Sequence, residues 1–207
     1  MSLFYPAVLR QDFFAMSSIN KAIQTYNRLL GIKYEIVLGR KGRTVAFEVN
    51  FSKQEFYHLA GLQYLSDIRE LKNDREKVFD RIKADVEFRK KLHDSVFYEK
   101  INERIFHLAN LEAIIDSNKT IFKYNDGERP FSRIKADFLL KNVESNTKIF
   151  LFLAFRTENE CFCRSFFPDN KIDYSINQTT MALLFKKKTF VSSGKEIILY
   201  DSISSRR

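Results

Sequence analysis

The sequence predicts an α+β fold, with helices in its first half and an antiparallel sheet in its second. Three observations carry that expectation. Apolar residues recur at helical spacing through most of the stretch up to Asp116. After Ser117 the texture changes to short runs rich in β-branched and aromatic residues, separated by turn-forming clusters. Most of those gaps are too short for crossover helices, so the strands are expected to pair as an antiparallel β-meander. The 207 residues suit a single domain, 1–207, mainly helical with a small hairpin over 1–116 and mainly sheet over 117–207.

Taken in order, Ser17 or Ser18 caps a helix whose inner positions are Ile19, Ala22, Ile23, Tyr26, Leu29 and Leu30, and Gly31 stops it. Tyr34–Leu38 and Thr44–Asn50 read as strands joined by the turn Gly39-Arg40-Lys41-Gly42. Ser52 and Glu55 form a capping box for a helix from about Lys53 to Leu65, with Phe56, Leu59, Ala60 and Leu62 as its stripe. Residues 66–94 interleave 9 basic and 8 acidic residues around a thin stripe of Val78, Phe79, Ile82 and Val86, which reads as a solvated helical arm. A further helix is expected from Ser95 to about Asp116. The strands that follow are Thr120–Tyr124, Ile134–Leu140, Ile149–Arg156, Cys161–Phe167, Met181–Lys187 and Glu196–Asp201. Ile149–Phe155 is apolar on both faces and is therefore expected inside the sheet.

The net charge of +9 favours a polyanionic partner, or serves solubility. It is uneven: residues 1–116 carry 19 basic and 16 acidic residues, against 16 and 10 over 117–207. The two cysteines, Cys161 and Cys163, have poor spacing for a disulfide, which fits a reducing compartment. No apolar run approaches a membrane span of about 20 residues, and the N-terminus has no leader-like pattern, so a cytoplasmic protein without a membrane partner is expected. There is no Walker-type loop, GxGxxG, HExxH, GxSxG or Cys/His ligand cluster, so neither a metal nor a cofactor is expected.

What remains is polar residues at unusual places. Arg133, Lys135 and Asp137 share one face of the expected strand Ile134–Leu140, either to hold a phosphodiester or as a solvated face. Arg164 shares a face with Phe162 and Phe166, either stacked in a phosphate pocket or snorkelling at a sheet edge, while Ser165 points with the cysteines to the other. His58 falls at the edge of its helix's apolar stripe, where a histidine serves as a general base or as a partly buried structural residue. Gln178 and Thr179 precede a strand and are either phosphate contacts or turn residues.

Four segments occur in a fixed order: Phe56-Tyr57-His58-Leu59-Ala60-Gly61-Leu62, Ile134-Lys135-Ala136-Asp137-Phe138-Leu139-Leu140, Cys163-Arg164-Ser165-Phe166-Phe167-Pro168 and Ile198-Leu199-Tyr200-Asp201. Together they resemble the fourth phage-type family of the barnase–EndoU–colicin–RelE-like nucleases, over roughly Tyr34 to Asp201. The resemblance implies N-terminal helices followed by an antiparallel meander, and a metal-independent endoribonuclease of toxin-like or phage–host-conflict type, with RNA as substrate. It also implies a protein antitoxin or host-defence partner as a further possibility. Its site residues carry over onto His58, Lys135, Arg164 and Ser165, with Arg133, Gln178 and Thr179 as substrate contacts from the residue pattern. The alternative is a non-catalytic RNA- or protein-binding module, an anti-defence or inhibitor protein, on the same scaffold.

Overall fold

The structure is a computed structural model that describes residues 7–128, 132–144, 146–169 and 171–204, with side chains from Ser18 onward. Helix α1 (Ala7–Leu29) ends just before Gly31, as its periodicity predicts, but it begins well before the expected cap, so Ser17 and Ser18 lie inside the helix rather than at its start. Strands β1 (Ile32–Arg40) and β2 (Arg43–Asn50) follow. Their turn is shorter than expected. Only Lys41 and Gly42 lie outside the strands, both with positive φ (48° and 75°), the conformation that matches strand twist in a two-residue hairpin. Gly39 and Arg40 therefore belong to β1.

The expected helix Lys53–Leu65 divides. Helix α2 (Lys53–Leu59) ends before Gly61, whose φ of 75° turns the chain into a 3₁₀ turn at Leu62–Tyr64. The charged stretch 66–94 is not a solvated arm. Helices α3 (Arg75–Ala84) and α4 (Val86–His93) bury Val78, Phe79, Ile82, Phe88 and Leu92, and of the expected stripe only Val86 is exposed. Phe79 sits edge-on to Phe56 at 5.3 Å and to Tyr26 at 5.9 Å, which ties this region to α1 and α2. Burying a ring of that size is worth roughly 2–3 kcal/mol. The helix expected over Ser95–Asp116 is likewise divided, into a 3₁₀ turn at Tyr98–Lys100, α5 (Asn102–Leu108) and α6 (Leu111–Ser117).

The sheet comprises β3 (Ile121–Lys123), β4 (Phe138–Glu144), β5 (Thr147–Thr157), β6 (Glu160–Pro168), β7 (Thr179–Phe190) and β8 (Glu196–Asp201), together with β1 and β2. It is not the expected meander. Its order is β1-β2-β6-β5-β4-β3-β7, and β7 returns to pair with β1 from Ile32↔Phe190 to Gly39↔Ala182, closing a seven-stranded barrel. β8 occupies the remaining length of the β7 edge beyond β3. Closure depends on β2 running parallel to β6 at Glu48↔Glu160 to Asn50↔Phe162; the other pairings are antiparallel. The alternation of side chains predicts which face a strand buries, not which strand lies beside it, and a closed sheet satisfies edges that a meander would leave bare.

β5 lies between β4 and β6, in the interior as expected. Ile149, Leu151 and Leu153 enter the main core, which is continuous with the helices. Phe150 and Phe152 enter a second cluster with Tyr124 and Leu139, against which Ile134, Ala136, Phe167 and Tyr174 pack. Residues 132–136 are therefore not strand but a segment laid over that outer cluster, and β4 begins only at Phe138.

Candidate active site

Helix α2 packs against β6, and the junction is where titratable groups gather. The helix begins at Ser52, whose N–H donates to Glu55 Oε2 at 3.2 Å, the carboxylate half of a capping box. The Tyr26 hydroxyl donates to the Ser52 carbonyl at 2.9 Å and lies 3.4 Å from the same Glu55 oxygen. Glu55 is only 7% exposed, and its other oxygen accepts from Arg156 Nη2, at the end of β5, at 2.6 Å. Burial pushes the Glu55 carboxyl up, against the Ser52 N–H and Arg156, which hold it down.

His58 follows Glu55 by three residues and so shares its face of α2. A cavity of about 130 Å³ is lined by His58 and Glu55 together with Arg75, Arg156, Phe162 and Arg164. Burial, then the neighbouring Arg75 and Arg164 guanidiniums, pull His58 below its usual value, while a hydrogen bond with Gln63 pulls the other way. The imidazole is therefore neutral at pH 7, ready to accept a proton. Arg156 lies over the Phe162 ring at 5.2 Å and Arg164 over the same ring at 6.0 Å, so an aromatic face spaces two guanidiniums at the cavity wall.

The position of Arg164 comes from a break in β6. Phe152 pairs with Ser165 and Leu153 with Cys163, which leaves Arg164 as the extra residue of a β-bulge. The bulge shifts the alternation. Cys161 and Cys163 face the core before it, and Phe166 faces the core after it at 0% exposure. Arg164 thus stays exposed on the same face as half-buried Phe162, but Phe166, expected on that face too, is in the core, and Ser165 no longer shares a face with the cysteines. Ser165 does not line the His58 cavity. Both thiols are driven up by burial, that of Cys161 to about 12, so neither is a nucleophile at neutral pH.

A second cavity, about 410 Å³, adjoins the first through Phe162 and Arg164 and is lined also by Lys135, Asp137 and Phe155. Lys135 is mostly exposed and paired with Asp126 rather than presented by a strand. Asp137 accepts from the Phe155 N–H at 2.9 Å and pairs with Lys123 at 3.2 Å, so it anchors β4 to its neighbours. Arg133 is exposed in the segment before β4. Gln178 is not placed as a substrate contact. It is 9% exposed, and its side chain exchanges two hydrogen bonds with the backbone of Asn125, at 2.7 and 3.0 Å. Thr179 lines a different cavity, at the mouth of the barrel. His107 is 4% exposed and bonded to Glu144 at 2.6 Å, so its role is structural.

The structure therefore brings His58 and Arg164 together and sets Lys135 one cavity away. It adds Glu55, Arg75 and Arg156, which the sequence pattern did not mark. Glu55 was visible only as a cap. Arg75 was hidden in the charge-dense stretch 66–94. Arg156 carried one signal, a cation closing an apolar strand, but its partner Glu55 lies 101 residues away.

No curated protein and no solved structure matches the chain. A family model does, over residues 18–202, and its description is phage-Barnase-EndoU-ColicinE5/D-RelE like nuclease4. The matched span contains every element that builds the α2–β6 cavity, and on that span the chain belongs to this family of nuclease-like proteins.

Proposed function

We propose that the protein is a metal-independent endoribonuclease whose active site is the α2–β6 cavity. The observation that carries the reading is that one cavity gathers a proton acceptor, His58, with three guanidiniums, Arg75, Arg156 and Arg164. In a transesterification the 2′-hydroxyl of RNA attacks the adjacent phosphorus as its proton leaves, negative charge builds on the phosphoryl oxygens, and the bond from phosphorus to the 5′-oxygen breaks, that oxygen taking a proton from water to leave as a 5′-hydroxyl. Neutral His58 accepts the proton. Arg164 and Arg156 flank the developing charge, and planar guanidiniums suit two phosphoryl oxygens at once. Glu55 is a positioning residue: its carboxylate fixes Arg156. Lys135 extends the cationic wall toward the next nucleotide. Guanidiniums then supply the charge that a metal ion supplies in other nucleases, and the chemistry needs no metal at this site. The phage association in the family description supports a role as a toxin-like effector in phage–host conflict, with a protein antitoxin or host-defence factor as a partner.

The test is incubation of the purified protein with total RNA in EDTA, with the product ends mapped. The reading expects 2′,3′-cyclic phosphate and 5′-hydroxyl ends. It also expects His58→Ala and Arg164→Ala to keep their circular dichroism and lose about 10²-fold or more in rate. Cleavage that needs added Mg²⁺ or Mn²⁺ would refute it.

A further inference from the structure

The inward-pointing rows of a small barrel are ordinarily apolar along their whole length. Here the rows of β1, β2 and β3 turn from apolar to cationic at one end. On β2 the inward row runs Val49, Phe47, Val45, Arg43, and on β1 it runs Ile36, Leu38, Arg40. On β3 it runs Ile121, Lys123. Arg40 and Arg43 are cross-strand partners next to the Lys41-Gly42 turn, so the three cations close three inward rows at the same mouth. They ring a cavity of about 650 Å³ whose floor is Phe138 and Phe155, with ring centroids 5.6 Å apart. Among the described residues no carboxylate lines this cavity; Asp137 reaches Lys123 from outside it. Like charges gathered over an apolar floor repel one another and gain from an anion that also carries a flat apolar face. Phe155 lines both this cavity and the one that contains Lys135 and Arg164, so the mouth continues the track that leads from the α2–β6 cavity.

We infer that the barrel mouth is a second RNA subsite, which holds a nucleotide flanking the scissile phosphate with its phosphate on Arg40, Arg43 and Lys123 and its base against Phe155. The "flanking" part rests on the nuclease reading above; the binding part stands on the mouth alone. A single strand is the form that fits, because a base can leave its stack only there, and base–aromatic contact tolerates any sequence.

The experiment is equilibrium binding of a fluorescent 2′-O-methyl RNA dodecamer, which resists transesterification, to the full chain as salt is varied. Arg40→Ala/Arg43→Ala changes two exposed hairpin side chains. It is expected to weaken binding about tenfold and to flatten the salt slope by up to about 0.7, the value for one single-strand phosphate no longer neutralised. Phe155→Leu, with folding checked by circular dichroism, is expected to weaken the dodecamer but not a dodecamer that is abasic throughout. Wild-type affinity and slope in Arg40→Ala/Arg43→Ala would overturn the subsite. Equal competition by a poly-glutamate of matched charge would overturn it in favour of an acidic protein partner. If these variants weaken binding as expected while no preparation cleaves RNA, the subsite stands and the nuclease reading is what has failed.

Discussion

The barrel carries inward cations at two places, and they are treated in opposite ways. Where β7 lysines reach α6, Lys186 and Lys188 point inward and are almost fully buried, at 1% and 4% exposure. Lys188 pairs with Glu112 at 2.6 Å and Asp116 at 2.8 Å. Lys186 donates to the carbonyls of Ile115, at 2.6 Å, and Asn118, groups that the end of α6 leaves unsatisfied. At the mouth, Arg40 and Arg43 are exposed and have no carboxylate beside them in the cavity. The comparison teaches that inward charge alone does not mark a functional site. A cation whose donors are all used holds the fold together; one that the fold leaves unneutralised is available to something from outside. The α2–β6 cavity mixes both kinds, with Arg156 partly neutralised by Glu55 while Arg164 is exposed on its bulge.

The sharpest way to break this contrast is to remove a cation at each place. Lys188→Ala removes the ammonium shared by two partly buried carboxylates, leaving Glu112 to Arg28 at 3.2 Å and Asp116 to the Tyr34 hydroxyl at 2.6 Å, and is expected to cost about 3 kcal/mol in urea unfolding. Lys186→Met keeps the apolar stem but orphans the α6 carbonyls, for about 2 kcal/mol. Arg43→Ala is expected to stay within about 0.5 kcal/mol of wild type. If Arg43→Ala destabilises as much as Lys188→Ala, the mouth is structural and the contrast is wrong.

A pH measurement sharpens the same point at the α2–β6 cavity. His58 must be neutral to accept a proton, so the rate rises with pH through its pKa, which its surroundings hold below 6.5. The Arg75 guanidinium contributes to that lowering, so Arg75→Ala raises the pKa and moves the acid limb to higher pH, readable also as the titration of the His58 ring by NMR. An unmoved or downward-shifted titration would place Arg75 outside the site's field. The smallest effect is Thr44→Glu, which adds a carboxylate at an exposed position on the rim of the mouth, next to Arg43 in β2. It is expected to change stability by less than about 0.5 kcal/mol while weakening RNA binding in a filter assay.

How far the sequence could foresee these sites follows from what a pattern encodes. Periodicity located the end of α1, the hairpin and the doubly apolar β5, because each is local and its burial is written in alternation or helical spacing, but it misplaced the start of α1, which lies at Ala7 and not at Ser17 or Ser18. It placed His58 at a stripe edge, which is where the structure has it, half-buried at the α2–β6 junction. It missed closure of the barrel, because the β1–β7 pairing joins residues about 150 positions apart and no local signal names a strand's partner. It misassigned Ile134 and Ala136 to a strand because a segment that packs over an aromatic cluster shows the same alternation as one that pairs. The β6 bulge at Arg164, which turns Phe166 inward and Ser165 away from the cysteines' face, leaves no mark in residue type at all. The charged stretch 66–94 looked solvated because its apolar stripe is thin, yet that stripe suffices when Tyr26 and Phe56 offer aromatic faces to Phe79.

The central claim is that the α2–β6 cavity uses the RNA 2′-hydroxyl as its nucleophile. The most direct measurement maps the linkages cut in an all-ribose oligonucleotide, then replaces the one ribose 5′ to the main cut with deoxyribose and repeats the incubation in EDTA with wild type and His58→Ala. The account predicts that the deoxy substitution abolishes that cut alone and that folded His58→Ala loses cleavage at every linkage. Cutting at the deoxy linkage, or tight binding of the all-ribose strand with no cleavage at all, would contradict it.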